Sequence, residues 1–252
     1  MAPPQLSRQE FLDEFWDYRA GEHVSLIYPT QRGKSHLAYQ LLGRAMEQNP
    51  SLSVVSLMPK PNSPSTAMWA KALDLKETPV WPPQRKFLEA KPAGHVLWPR
   101  HRRDLPTEEN RAQLAAQFRK ALSGQYWRGR SIMFADDVFI LAALMGLNPE
   151  LEEWWTAGGE GGAGLWCANQ KPSGSLSTGS VSSFSYNAPS HLFLGRDTDD
   201  RNVRRFSEIG GIDPREVESI VRNLRLYRIG DKTISEVLYI DKRLPAKALI
   251  GP

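Results

Sequence analysis

Apolar residues along this chain fall into short runs separated by amphipathic stretches, and the alternation continues over most of its length. HVSLIY, His23 to Tyr28, is a short apolar run of the kind a strand buried on both faces requires. Leu37, Ala38, Leu41, Leu42, Ala45 and Met46 then recur at helical spacing until Asn49-Pro50, so a helix follows directly. LSVVSLM, Leu52 to Met58, predicts a second strand, ended by PKPNSP. Further strands are predicted at HVLW within Gly94 to Pro99, at RSIMFADD from Arg130 to Asp137, at LWCANQ, and at HLFLG from His191 to Gly195.

Between these runs, Leu114, Phe118, Ala121 and Leu122 mark a helix entered near Thr107, and FILAAL and ELEEWW predict two more. Asp213 with Pro214 and Glu216 opens a helix carrying Val217, Ile220, Val221 and Leu224. Near the start, Ser7 and Glu10 form a capping box ahead of Phe11, Phe15 and Tyr18, which predicts a short amphipathic helix. RLYRIG and TISEVLYI meet at Gly230-Asp231 as a hairpin. Prolines interleaved with tryptophans from Pro59 to Pro106 predict irregular insertions, and KPSGSLSTGSVSSFS, Lys171 to Ser185, reads as a flexible loop. The alternation predicts an α/β fold of three layers with a mostly parallel central sheet, and a ligand site at the carboxyl ends of the strands. The expected divisions are an N-terminal helical extension (1–22), the main domain (23–230), and a C-terminal hairpin strand and tail (231–252).

Composition changes this picture little. A chain of 252 residues, 40% of them apolar, is long enough for one substantial core. Its start lacks a basic segment followed by an apolar one, and the longest apolar run, Val138 to Leu147, is half a membrane span, so the expectation is a cytoplasmic protein with no integral membrane segment. Cys167 sits in the apolar run LWCA and reads as a buried structural thiol. The net charge of +4 permits contact with nucleic acid without requiring it.

Chemistry concentrates in three places. YPTQRGKS, Tyr28 to Ser35, ends as a phosphate-binding loop does, between a strand and a helix. The candidate nucleotide-binding residues are Pro29, Thr30, Gln31, Arg32, Gly33, Lys34, Ser35 and His36. Lys34 would neutralise outer phosphates and Ser35 would serve magnesium. Tyr28 stands where the usual pattern has glycine, and Pro29 pushes it toward extended geometry. Without the flanking strand and helix, GKS would be only a turn opening a helix. IMFADD supplies Asp136 as the magnesium-side acid and Asp137 as the candidate activator of water, although two acids after a strand also suit a helix cap. Asn169-Gln170, after a strand, can aim an amide at a γ-phosphate or simply satisfy a loop.

With these motifs in order, the sequence resembles the HerA/FtsK superfamily of DNA-pumping ATPases. YPTQRGKS, IMFADD and especially GGEGGAGLWCANQKPS carry the resemblance, and NAPSHLFLGRDTDDRNVRRF is similar to the family's next strand and arginine-bearing segment. The resemblance implies a RecA-like P-loop NTPase that binds ATP and Mg2+ and threads double-stranded DNA through a homo-oligomeric ring, usually a hexamer. It assigns Lys34, Asp136, Asp137 and Gln170 to catalysis, with Gln170 as the sensor. It also implies an arginine from the neighbouring subunit, for which Arg196, Arg201, Arg204 and Arg205 are candidates, with Arg128 and Arg130 behind them. The family more often carries glutamate at the position of Asp137. The absence of membrane segments and of a sizeable accessory domain favours a minimal motor, such as a viral genome-packaging ATPase docked on a portal or membrane vertex, in the host cytoplasm or virion. PRHRRD, Pro99 to Asp104, and Lys171 with the loop after it are candidate DNA contacts. Two other readings are a nucleotide-gated binding or assembly protein with weak hydrolysis, and a small-molecule kinase.

Overall fold

The computed structural model describes residues 3–84, 92–172, 181–206, 213–244 and 246–252. Along the chain, β1 (Gln5–Leu6) and the single turn α1 (Arg8–Glu10), continued by a wide turn at Phe11–Phe15, lead to β2 (Val24–Ile27) and α2 (Lys34–Gln48). Next come β3 (Ser53–Leu57), α3 (Pro64–Ala72), β4 (Leu75–Thr78), β5 (Gly94–Leu97), α4 (Thr107–Arg128) and β6 (Ser131–Ala135). A wide turn at Ile140–Leu144 and α5 (Asn148–Glu153), extended through Trp154–Gly158, precede β7 (Ala163–Asn169), α6 (Phe184–Asn187) and β8 (His191–Gly195). The chain closes with α7 (Asp200–Phe206), α8 (Pro214–Asn223), β9 (Leu226–Ile229), β10 (Lys232–Ser235), β11 (Val237–Asp241) and β12 (Ala246–Ile250).

Among the described residues, ten strands form one sheet in the order β1-β12-β11-β8-β2-β7-β6-β3-β5-β4. From β8 to β4 every neighbouring pair is parallel, and β11 is antiparallel to both β8 and β12. Residues of β2, β3, β6, β7 and β8 are almost all buried, which is why these strands appear as unbroken apolar runs. Successive side chains part to opposite faces. Val54, Phe134 and Trp166 pack with Leu37, Leu41 and Leu42 of α2, while Val55, Met133 and Leu165 pack with Leu114, Phe118 and Leu122 of α4. Ile27, Leu192 and Leu194 meet Val217 and Val221 of α8 in a third cluster. These are the three layers expected of a RecA-like α/β fold.

Two stretches differ from the sequence reading. The proline-rich span expected to be irregular holds a helix and an edge strand. Ser63 caps α3 by accepting from the Thr66 amide, and Pro64 occupies the first helical position, where proline lacks no needed donor. TISEVLYI is two strands rather than one, because Glu236 turns inward: its carboxylate accepts from the Arg225 amide at 3.0 Å and from Gln5 Nε2 at 3.1 Å. β10 therefore stays in a two-stranded sheet with β9, and β11 enters the main sheet. Residues 1–22 and 231–252 thus both contribute strands to the main sheet through β1, β11 and β12. Among the described residues no helix is long and apolar enough to cross a membrane.

Candidate nucleotide site

Because β2, β3, β6, β7 and β8 run in parallel, the residues after them share one edge of the sheet. That edge brings together the turn Pro29–Gly33, Lys60 beyond β3, the acids after β6, Asn169-Gln170 at the end of β7, and Arg196 after β8. The turn takes left-handed backbone at Gln31 (φ 57°) and at Gly33 (φ 87°), which is the N-cap of α2. Glycine accepts that conformation without strain. No side chain caps α2 and no acid stands in its first turn, so its leading amides and dipole remain open to an anion.

Lys34 is buried and donates to the Tyr28 carbonyl at 2.9 Å, with its ammonium 5.6 Å from the centre of the Tyr28 ring. Burial lowers its pKa to about 8, against the attraction of Asp137 and Asp136. Ser35 Oγ donates to Asp136 Oδ1 at 2.6 Å. Burial raises the Asp136 carboxyl above its usual range, opposed by the Ser35 hydrogen bond and by Lys60 and Lys34. Asp137 Oδ2 pairs with Lys60 Nζ at 3.1 Å. The loop bearing Lys60 is pinned, since the Lys60 carbonyl accepts from the Trp98 indole at 2.7 Å and His101 Nε2 lies 3.0 Å from the Pro59 carbonyl.

Residues fit for magnesium are present. A hydroxyl and a buried carboxylate already touching each other are the hard oxygen donors that magnesium uses beside phosphate oxygens and water. No cluster of three or more metal-binding side chains exists among the described residues.

Tyr28 fits through a substitution elsewhere. It is buried in the core, and its backbone amide extends the β2–β7 pairing by donating to the Asn169 carbonyl at 3.2 Å. On its other side stands Gly195 of β8, where an added Cβ would lie 2.3 Å from the Tyr28 Cβ. The small residue missing from the loop is thus supplied by the neighbouring strand.

The remaining candidates are dispersed. Gln170 is exposed, whereas Asn169 beside it is buried with an unpartnered Nδ2. Arg196 is exposed on the site's edge, and its amide donates to Ser235 Oγ at 3.0 Å. Arg201, Arg204 and Arg205 lie exposed on α7. Arg128 and Arg130 precede β6 and so stand at the opposite edge of the sheet. Arg102 of PRHRRD is paired with Asp104 at 2.5 Å. Lys171 is exposed, and most of the loop after it, 173–180, lies outside the described residues.

Sequence reasoning missed Lys60, which looked like turn punctuation, and missed the hairpin β9–β10 as a neighbour of the phosphate loop. Ser235 donates its amide to the Arg32 carbonyl at 3.3 Å, and Ile234 Cγ2 lies 3.3 Å from where a Gly33 Cβ would stand. The strand order next to β6 could have revealed Lys60, but no local pattern does.

No protein-family model matches the chain, and no curated relative does either. Solved structures do. The DNA-packaging ATPase B204 from Sulfolobus Turreted Icosahedral Virus superposes with a TM-score of 0.58 at 12% identity, covering 93% of this chain and 99% of its own. The genome-packaging NTPase B204 from Sulfolobus turreted icosahedral virus 2 gives 0.60 at 13% identity in complex with AMPPCP, covering 92% and 98%. In complex with ATP-gammaS it gives 0.58 at 13%, covering 92% and 97%. With its mostly parallel sheet, its glycine-lysine-serine turn and its strand-end acids, the chain has the RecA-like P-loop NTPase fold, built on the same plan as these packaging NTPases.

Proposed function

We propose that this chain is an ATPase that drives double-stranded DNA translocation, and that its task is packaging a viral genome. The observation that carries the reading is the contact of Ser35 with Asp136 at 2.6 Å, which joins the phosphate turn to the acidic strand end in one site. Neighbours of the same fold are a DNA-packaging ATPase and a genome-packaging NTPase solved with ATP-gammaS and with AMPPCP.

In this reading the amides of Gln31–Ser35 cradle the phosphates, and the Lys34 ammonium leaves the Tyr28 carbonyl for the outer phosphate oxygens. Ser35 and Asp136 would hold magnesium, whose charge offsets that of the β- and γ-oxygens. Asp137 orients the attacking water and takes its proton, for which it must first leave Lys60. Asn169 or Gln170 senses the γ-phosphate from the end of β7. An arginine of a neighbouring subunit in a homo-oligomeric ring, with Arg196 the candidate already on the correct edge, stabilises the transferring phosphoryl group. We place the ring, a hexamer, on a portal or membrane-vertex partner, in the host cytoplasm or virion.

The Lys60–Asp137 pair favours one second reading, a nucleotide-gated binding protein with slow hydrolysis. Phosphate release by the assembled chain, with and without double-stranded DNA, separates the two. DNA stimulation that Lys34→Ala abolishes supports the motor. Single-turnover hydrolysis at background supports the gated binder, and activity untouched by Lys34→Ala excludes both.

A further inference from the structure

Beside the phosphate turn, away from the acids, lies a pocket of about 340 Å³ lined by Arg8, His36, Gln40, Ile229 and Ile234. We infer that this pocket holds the base of the bound nucleotide, with the β9–β10 hairpin as one wall. The inference rests on the phosphate-site reading above and adds what that reading lacks, a place for the nucleoside.

Position is the first argument. His36 and Gln40 lie one turn apart on α2, and His36 directly follows Ser35, so the pocket begins where the phosphates end. Its opposite wall touches the same loop through Ile234 at Gly33 and through the Ser235–Arg32 backbone bond. A nucleoside attached to phosphates at Gly33–Ser35 therefore has a cavity directly beside it. The volume lies within the range of small-molecule sites, roughly 300–1,000 Å³.

Chemistry is the second argument. Antiparallel pairing of Ile229 with Lys232 and of Tyr227 with Ile234 puts these four on one face of the hairpin. Ile229 is 52% exposed there, an apolar side chain facing the pocket with little to cover it. Arg8, only 8% exposed, is a buried guanidinium whose Nε has no partner, and its other contact is a long 3.4 Å donation to Gln40 Oε1. Among the described residues no carboxylate pairs with it. A buried cation lining the cavity, an amide beside it and aliphatic walls fit a flat heteroaromatic ring with acceptor nitrogens at its edge. Ile229 and Ile234 cover the ring face, and Arg8 and Gln40 meet its edge. His36 is fixed by its edge-on contact with Trp69, centroids 4.9 Å apart, and forms the rim.

Equilibrium binding of ATP and of inorganic tripolyphosphate, each with magnesium, tests this on wild type, Ile229→Asp and Gln40→Ala. Ile229 is exposed, so its variant should fold, and tripolyphosphate binding reports an intact phosphate turn. Wild type is expected to bind ATP about 10-fold or more tightly than tripolyphosphate. Both variants are expected to lose most of that advantage, while tripolyphosphate affinity stays within about 2-fold. Equal affinity of wild type for the two ligands, or variants that keep the ATP advantage, overturns the base pocket and leaves the phosphate site standing. Folded wild type that binds neither ligand overturns the phosphate site and the pocket with it.

Discussion

At the scale of single residues, the tyrosine in the phosphate turn and the glycine on β8 form a matched pair. Gly195→Ala forces a Cβ into Tyr28 and is expected to cost about 1–3 kcal/mol. Tyr28→Gly alone leaves a cavity worth about 3–5 kcal/mol. Their double variant should lose less than the sum, and denaturant melts of the four proteins measure the coupling. Lys34 supplies a pH prediction. Its folded pKa of about 8 lies below the ordinary 10.5, so the buried charge destabilises the empty fold fully below pH 8, and that penalty fades as pH rises toward 10.5. Lys34→Met is thus expected to raise the melting temperature at pH 7 without nucleotide, while abolishing nucleotide binding. Phosphate anions favour the charged lysine, so nucleotide binding near pH 8 should take up protons, seen as a buffer-dependent binding enthalpy. Lys60 pairs with the carboxylate that Asp137 would offer to water. Lys60→Ala is expected to raise DNA-free hydrolysis about 3- to 10-fold and shrink the stimulation by DNA, and a fall in hydrolysis would assign Lys60 to the phosphate instead.

Among elements, legibility followed burial. Strands buried on both faces, such as β2 and β6, stand out as apolar runs, and α2 and α4 follow from their spacing. β4, LKET, escaped because it is an edge strand with Lys76 and Glu77 in its middle, and α3 escaped because Pro64 reads as a breaker until its capping is seen. The glycine-lysine-serine turn and the strand-end position of the acids of IMFADD were legible because each is local. Lys60, the unpartnered amide of Asn169 and the pocket wall at Ile229 were not, because strand order and the returning chain ends place them. The same return makes β11 and β12 structural. A chain cut after Ser235 exposes the edge of β8 and strands β1, and is expected to lose cooperative unfolding; a melt matching the full chain would refute this.

For the whole molecule, the site is open at an edge of the sheet, with exposed Arg196 beside it and no acidic cap over α2. Such an edge suits completion by a second subunit, and on that argument Arg196→Ala should depress DNA-stimulated hydrolysis by a factor of about 10³ or more while sparing nucleotide binding. A translocating motor moves along duplex DNA as it turns over ATP. Displacement of a third strand from a triplex placed at the end of a long duplex tests this most directly. Release is expected to require ATP with a hydrolysable γ-phosphate, to be delayed in proportion to the duplex length before the triplex, and to disappear in Lys34→Ala. Steady ATP hydrolysis by assembled protein with no triplex release would contradict it.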